Sequence, residues 1–175
     1  MSLIKSLSEY LTSIEDISGT QGSNFSSAQS VGRYLVRNRS EAREYFRSLI
    51  ADRIYMHHRP ENAKDRTSLV ISSVDEDYDY TLDGVTTTTE ELLDCSIYGR
   101  GEGARDRVDL AAALFKLCVD GFYNNTWGDL AINECRIDGA TSGSTAPDDG
   151  SDFWTYRRTV ELQVFHSGPI PDLHS

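Results

Sequence analysis

Positive charge is scarce in this chain of 175 residues: Lys and Arg number 17 against 28 Asp plus Glu, a formal net charge of −11. Because phosphate neutralisation supplies most nucleic-acid affinity, this balance argues against a nucleic-acid clamp. No apolar run approaches the roughly 20 residues of a membrane span, and the first residues lack a signal peptide's long apolar core. No membrane role is therefore expected. Cysteine is limited to positions 95, 118 and 135, an odd number without a C-x-x-C pair. Each lies in an apolar or alternating segment, which points to core thiols in a reducing compartment, not to disulfides or zinc. The Asn-x-Ser/Thr triplets at Asn24, Asn38 and Asn124 then carry no glycosylation meaning.

What is present is organised around residues 90 to 122. Leu93, Cys95 and Ile97 alternate with Asp94 and Ser96, the period of a strand with one buried face. Gly99, Gly101 and Gly103 break that pattern. From Ala104 the period lengthens, with Val108, Ala111, Ala112, Phe115, Cys118, Val119 and Phe122 on one helical stripe. Leu110, Leu114 and Leu117 widen the stripe beyond what one sheet contact needs. The surplus implies a second partner, either another helix or another copy of the chain.

Taken in order, Ser2 is positioned to cap a helix carrying Leu3, Ile4, Leu7, Tyr10, Leu11 and Ile14. Residues 17 to 30 read as a polar loop, and 31 to 39 as either helix or loose chain. Ser40 reads as the cap of a second helix, with Ala42, Tyr45, Phe46, Leu49 and Ile50 on its buried side. Strands are expected over residues 53–57, 67–82, 86–98 and 130–137, with Leu82-Asp83-Gly84 as a turn. Residues 138 to 152 lack periodicity and read as a long contact loop. A last strand carries Tyr156, Val160, Leu162 and Val164 on one side. Residues 168 to 175, with Pro169 and Pro171, read as a tail outside the sheet. The expectation is one domain over 1–167 of the α/β (α+β) class, an antiparallel-rich mixed sheet with helices packed on one face.

Several chemical motifs come close and fail. Gly99, Gly101 and Ala104 meet a G-x-G-x-x-G/A spacing, but no βαβ unit follows and Glu102 would repel a pyrophosphate. Asp75, Asp77 and Asp79 start like a calcium loop, yet its sixth position is Tyr80 and its twelfth Thr86. On a strand these aspartates share one face at roughly 7 Å intervals, as a solvated strand end or a cavity wall. Adjacent His57 and His58 point to opposite sides of a strand, and His166 and His174 have no ligand-spaced companion. Gly139-Ala140-Thr141-Ser142-Gly143 has Thr where a nucleophile elbow needs Ser. No catalytic, cofactor or metal residue is named, and an enzyme is not expected.

Six segments together resemble the tail completion (tail terminator) proteins of long-tailed bacteriophages. They are Ser2-Leu3-Ile4-Lys5-Ser6-Leu7; Asp52-Arg53-Ile54-Tyr55; Leu69-Val70-Ile71-Ser72; Tyr80-Thr81-Leu82-Asp83-Gly84; Leu93-Asp94-Cys95-Ser96-Ile97-Tyr98 ahead of the helix ending Asp120-Gly121-Phe122; and the run from Tyr156 to His166. Their order and spacing carry the likeness, and residues 17 to 39 depart from it as an insertion. The resemblance implies a small α/β domain assembling as a ring, typically of six copies. Such a ring caps the finished tail tube, ends its polymerisation and meets the head-side connector or stopper. It implies no cofactor, assembly in the host cytoplasm, a place in the virion neck, and genomic DNA passing the lumen without specific binding. Leu110, Leu114 and Leu117 are then the candidate subunit interface, and Asp75, Asp77 and Asp79 the candidate channel lining. The 17–39 insertion and the 138–152 loop are candidates for axial contacts. The alternatives are another neck component and, further off, a small nucleotide-binding enzyme using the glycine turn.

Overall fold

A computed structural model describes residues 2–15, 17, 22–60, 66–80, 86–146 and 153–169, with backbone alone at 77–80, 86, 87, 168 and 169. In chain order the elements are α1 (Leu3–Thr12), β1 (Asn24–Val31), β2 (Tyr34–Asn38), α2 (Arg39–Ile50), β3 (Ile54–Met56), β4 (Ser68–Tyr80), β5 (Thr86–Arg100), α3 (Ala104–Val119), β6 (Tyr123–Trp127), β7 (Leu130–Thr145) and β8 (Thr155–Pro169). Strands β3-β4-β5-β8-β7-β6 form one sheet in that spatial order, parallel only at β3–β4, and β1–β2 form a separate hairpin. This is the α+β, antiparallel-rich arrangement with helices on one face.

Alternation along the two central strands decides which face the helices take. Leu93, Cys95 and Ile97 of β5 are fully buried, as are Val160, Leu162 and Val164 of β8 within about 1%. Helix α3 lies on them through Val108, Ala111, Ala112, Phe115, Cys118 and Val119. The breadth of its apolar stripe is taken up inside the chain. Helix α2 packs on its far side, with Phe46 and Phe115 ring centroids 5.8 Å apart. The β1–β2 turn sits over Leu110: a Cβ on Gly32 would come 2.9 Å from Leu110 Cδ1. Helix α1 closes the layer through Tyr10, which stacks on Trp127 and meets Phe122 edge-on.

Each helix ends against an arginine or a phenol, local for α2 and from elsewhere in the sequence for α1 and α3. Free carbonyls at a helix C-terminus carry partial negative charge and need donors once water is excluded. Arg43, 3% exposed, donates to the carbonyls of Tyr10, Ser13 and Glu15 at the exit of α1. Arg47 also donates to the Ser13 carbonyl. Arg53 donates to the Leu49 carbonyl at the end of α2, and Arg39 to that of Leu117 near the end of α3. Tyr10 Oη donates to the Cys118 carbonyl at 2.7 Å.

Four expectations need correction. The cap of α2 is Asn38, whose side chain accepts from the Glu41 amide, so Ser40 lies inside the first turn. Residues 24–38, read as loop and then helix or loose chain, form the β1–β2 hairpin. Strand β7 runs on to Thr145, paired through to Thr155, so most of the supposed 138–152 loop is sheet; residues 147–152 lie outside the described residues. Gly168 and Pro169, expected in a tail, pair with Thr87 and Thr86 and belong to the sheet; residues 170–175 lie outside the described residues. The predicted Ser2 cap does accept from the Lys5 amide.

Candidate functional surface

The sheet face turned away from the helices is the surface on which the chain's unusual features converge. Along β5 it presents Thr88, Glu90, Leu92, Asp94, Ser96, Tyr98 and Arg100, all half-buried. Two β-bulges shape it. The first lies between Ser73 and Asp75 in β4, the second between Ile137 and Gly139 in β7. A bulge adds one residue and so reverses the faces of everything beyond it. Without the first, Asp75 would follow Leu69, Ile71 and Ser73 onto the covered side. With it, Asp75 pairs with Leu92 and is exposed, while Val74 is left 59% exposed.

Between the bulges lies a cavity of about 220 Å³, floored by Val74 and Leu92 and rimmed by Asp94, Asp138 and Glu161, with the buried Leu93 and Leu162 contributing to its lining. No hydrogen bond or ion pair among the described residues engages those three carboxylates. The wider setting has the same sign. From residue 67 to 99 the chain carries eight Asp or Glu and no Lys or Arg. Glu134 on β7, by contrast, is compensated: its carboxyl is held below its ordinary range by its hydrogen bonds to Arg136.

Of the predicted channel-lining residues, Asp75 is exposed on this open face. Asp77 and Asp79 pair in register with Glu90 and Thr88, and their side chains lie outside the described residues. The predicted interface leucines separate. Leu114 is fully buried inside the subunit and offers no surface to a second copy, which is a correction. Leu110 and Leu117 are partly buried against the core.

The remaining motifs have local explanations. In the glycine turn, a Cβ on Gly99 would meet Val108 Cγ2 at 2.8 Å, and Gly101 and Gly103 hold φ of +95° and +72°. The Gly101 and Ala104 amides are engaged by the Trp154 and Gly101 carbonyls. Arg107 donates to the carbonyls of Glu102 and Arg100 across the turn. A phosphate cradle needs free amides there; this turn presents carbonyls to a cation. His57 and His58 are exposed at the end of β3. His166, without a companion in the sequence, finds one 75 residues away: its Nε2 lies 3.3 Å from Glu91 Oε1, with Ser73 Oγ donating to Glu91 Oε2. The carboxylate sits between the other two, so no hydroxyl meets the imidazole and no nucleophile–base contact exists. Spacing could not have revealed this pair, because the β5–β8 register creates it. Cys95, Cys118 and Cys135 are free and buried, and burial pushes all three thiols up, Cys118 to about 12. Among the described residues no group of three His, Cys, Asp or Glu could hold a metal ion, and no helix is long and apolar enough to cross a membrane.

No family model matches the chain, and no curated protein matches it. Among solved structures, a chain from the virion of a native gene transfer agent (GTA) particle is similar at TM-score 0.48 and 15% identity, over 70% of this chain and 84% of that one. A likeness that weak carries no argument about function.

Proposed function

We propose that the chain is a structural protein of a phage-like virion, a tail terminator (tail completion) subunit with no enzymatic role. In this reading copies form a ring, of six, at the head-proximal end of the tail tube. The ring ends tube polymerisation and joins the tail to the head connector or stopper, after assembly in the host cytoplasm. The observation that carries the reading is the one-sided sheet: helices cover one face, and the other is open and acidic around the Leu92 cavity. Phosphates are repelled from such a wall over a screening length of about 8–10 Å. A ring of such walls suits a lumen through which genomic DNA slides without specific binding. The Asp75, Asp77 and Asp79 row belongs to that lining, and Leu110 and Leu117 to the subunit contact. The order of the six resembling segments supports the same assignment.

The test is to polymerise the tube protein of the same particle with and without the purified chain and measure tube lengths by negative-stain microscopy. Rings at one tube end and shorter tubes are expected. Unchanged lengths and bare ends reject the terminator role. Recovery of the chain on filled heads lacking tails would assign it to the head-side connector or stopper instead.

A further inference from the structure

Two of the chain's β-hairpins, β1–β2 and β4–β5, carry opposite charge. The β4–β5 hairpin lies in the acidic stretch with no Lys or Arg. Residues 17 to 40 carry Arg33, Arg37 and Arg39 and no Asp or Glu. Strand β2 alternates cleanly: Val36 is buried and Tyr34 half-buried against the helices, while Arg33, Leu35 and Arg37 turn outward. Leu35 is 46% exposed, an apolar side chain between two guanidinium groups. Arg37 is tied only loosely to Glu41, at 3.4 Å with 59% of its side chain exposed; Arg33 donates to the neighbouring Tyr34 hydroxyl. The hairpin packs on the helical layer, whereas the cavity with a leucine floor and carboxylate rim opens on the far face of the sheet.

We propose that the outward Arg33-Leu35-Arg37 stripe of one copy docks into the Leu92 cavity of a second copy, with Leu35 on the apolar floor and the arginines over Asp94, Asp138 and Glu161. The stripe and the cavity are opposite in sign, and each sets an apolar centre among charged flanks. A knob on one face and a hole on the opposite face make a head-to-tail contact, which closes into a ring or runs on as a filament. The exposed pair Phe153 and Trp154 is the competing knob. Asp148, Asp149 and Asp152 precede it in sequence, the wrong sign for an acidic rim. The contact deepens the ring reading above and rests on it for its biological meaning; it takes the Leu92 cavity out of the lumen wall and leaves the lining to the row of Asp75, Asp77 and Asp79.

The experiment mixes a Leu35→Cys chain with a Leu92→Cys chain under copper–phenanthroline oxidation, the native thiols being buried. The control pairs Leu92→Cys with Tyr123→Cys, also on an exposed side chain. The docked pair should cross-link at least about tenfold faster than the control, through effective concentration at the contact. High salt or Glu161→Lys should abolish that advantage. In parallel, Arg33→Glu/Arg37→Glu should remove salt-sensitive self-association in sedimentation velocity. Equal cross-linking rates in both pairs overturn the proposal, as does association unchanged by charge reversal. Cross-linking without capture on tail tubes leaves the contact standing and rejects the terminator reading. Tube capture without cross-linking does the reverse.

Discussion

The two faces of one sheet are built from the same strands, yet they obey different rules. At adjacent positions of β5, Leu93 is fully buried beneath α3 while Leu92 floors an open groove. On the covered face, buried charge is matched by carbonyls, as where Arg43 reaches three of them. On the open face, Asp94, Asp138 and Glu161 stand together without a counter-ion among the described residues. Folding stability therefore resides on the covered face. The open face carries like-charge repulsion that a partner of opposite sign would relieve.

That contrast is broken most severely from the covered side. Leu93→Ala should cost about 2–5 kcal/mol in chemical denaturation, whereas Leu92→Ala, one residue away, should cost under about 1 kcal/mol. Equal losses would mean that the open face is packed after all. Arg43→Leu should cost about 2–4 kcal/mol by leaving the Tyr10 and Glu15 carbonyls without this donor, the Ser13 carbonyl keeping Arg47, since each dry acceptor is worth roughly 1–3 kcal/mol. Arg43→Lys should recover only part, because an ammonium cannot reproduce the planar fork.

Alkaline pH probes the same face more gently. The Cys118 thiol ordinarily titrates near 9 and is pushed up to about 12 by burial. Below about pH 9 both folded and unfolded chains keep the proton, and stability is whole. Above it the unfolded chain releases the proton while the native one retains it, so stability falls progressively towards pH 12. Cys95 and Cys135 shift in the same direction, again through burial. Thiol titration with a chromogenic disulfide at pH 8 should find no fast-reacting cysteine in the native protein and three after denaturation. One fast native thiol would contradict the packing of α3. The smallest effect belongs to the open face. Asp94→Asn with Glu161→Gln should change stability by no more than about 0.5 kcal/mol, towards greater stability at low salt. A clear loss would give those carboxylates an internal structural role.

How far the fold was legible depended on where each element finds its partners. Strands β4, β5 and β8 and helix α3 bury continuous apolar sets, so their periods stand in the sequence. Strand β1 buries almost nothing of its own, its Ser, Ala and Gln being exposed. Phe25 holds it to the body, under the Arg39 guanidinium 5.9 Å away. The far half of β7 is small and polar because long side chains of β8 lie over it. A Cβ on Gly139 would come 3.0 Å from Glu161 Oε2, and one on Gly143 3.2 Å from an Arg157 guanidinium nitrogen. Such a strand shows no alternation of its own. The candidate cavity was hidden for a related reason: its rim comes from β5, β7 and β8, and both bulges that open it are properties of pairing.

The sequence by itself determined the class of the fold, the inward face of its central strands and the sign of its charge. These depend on periodicity and composition, which act locally along the chain. Tertiary structure alone decided which leucines remained accessible, where the arginines were anchored and which carboxylates came together. Those outcomes depend on strand register and on helices meeting across many intervening residues, where a single inserted residue turns a side chain from core to solvent.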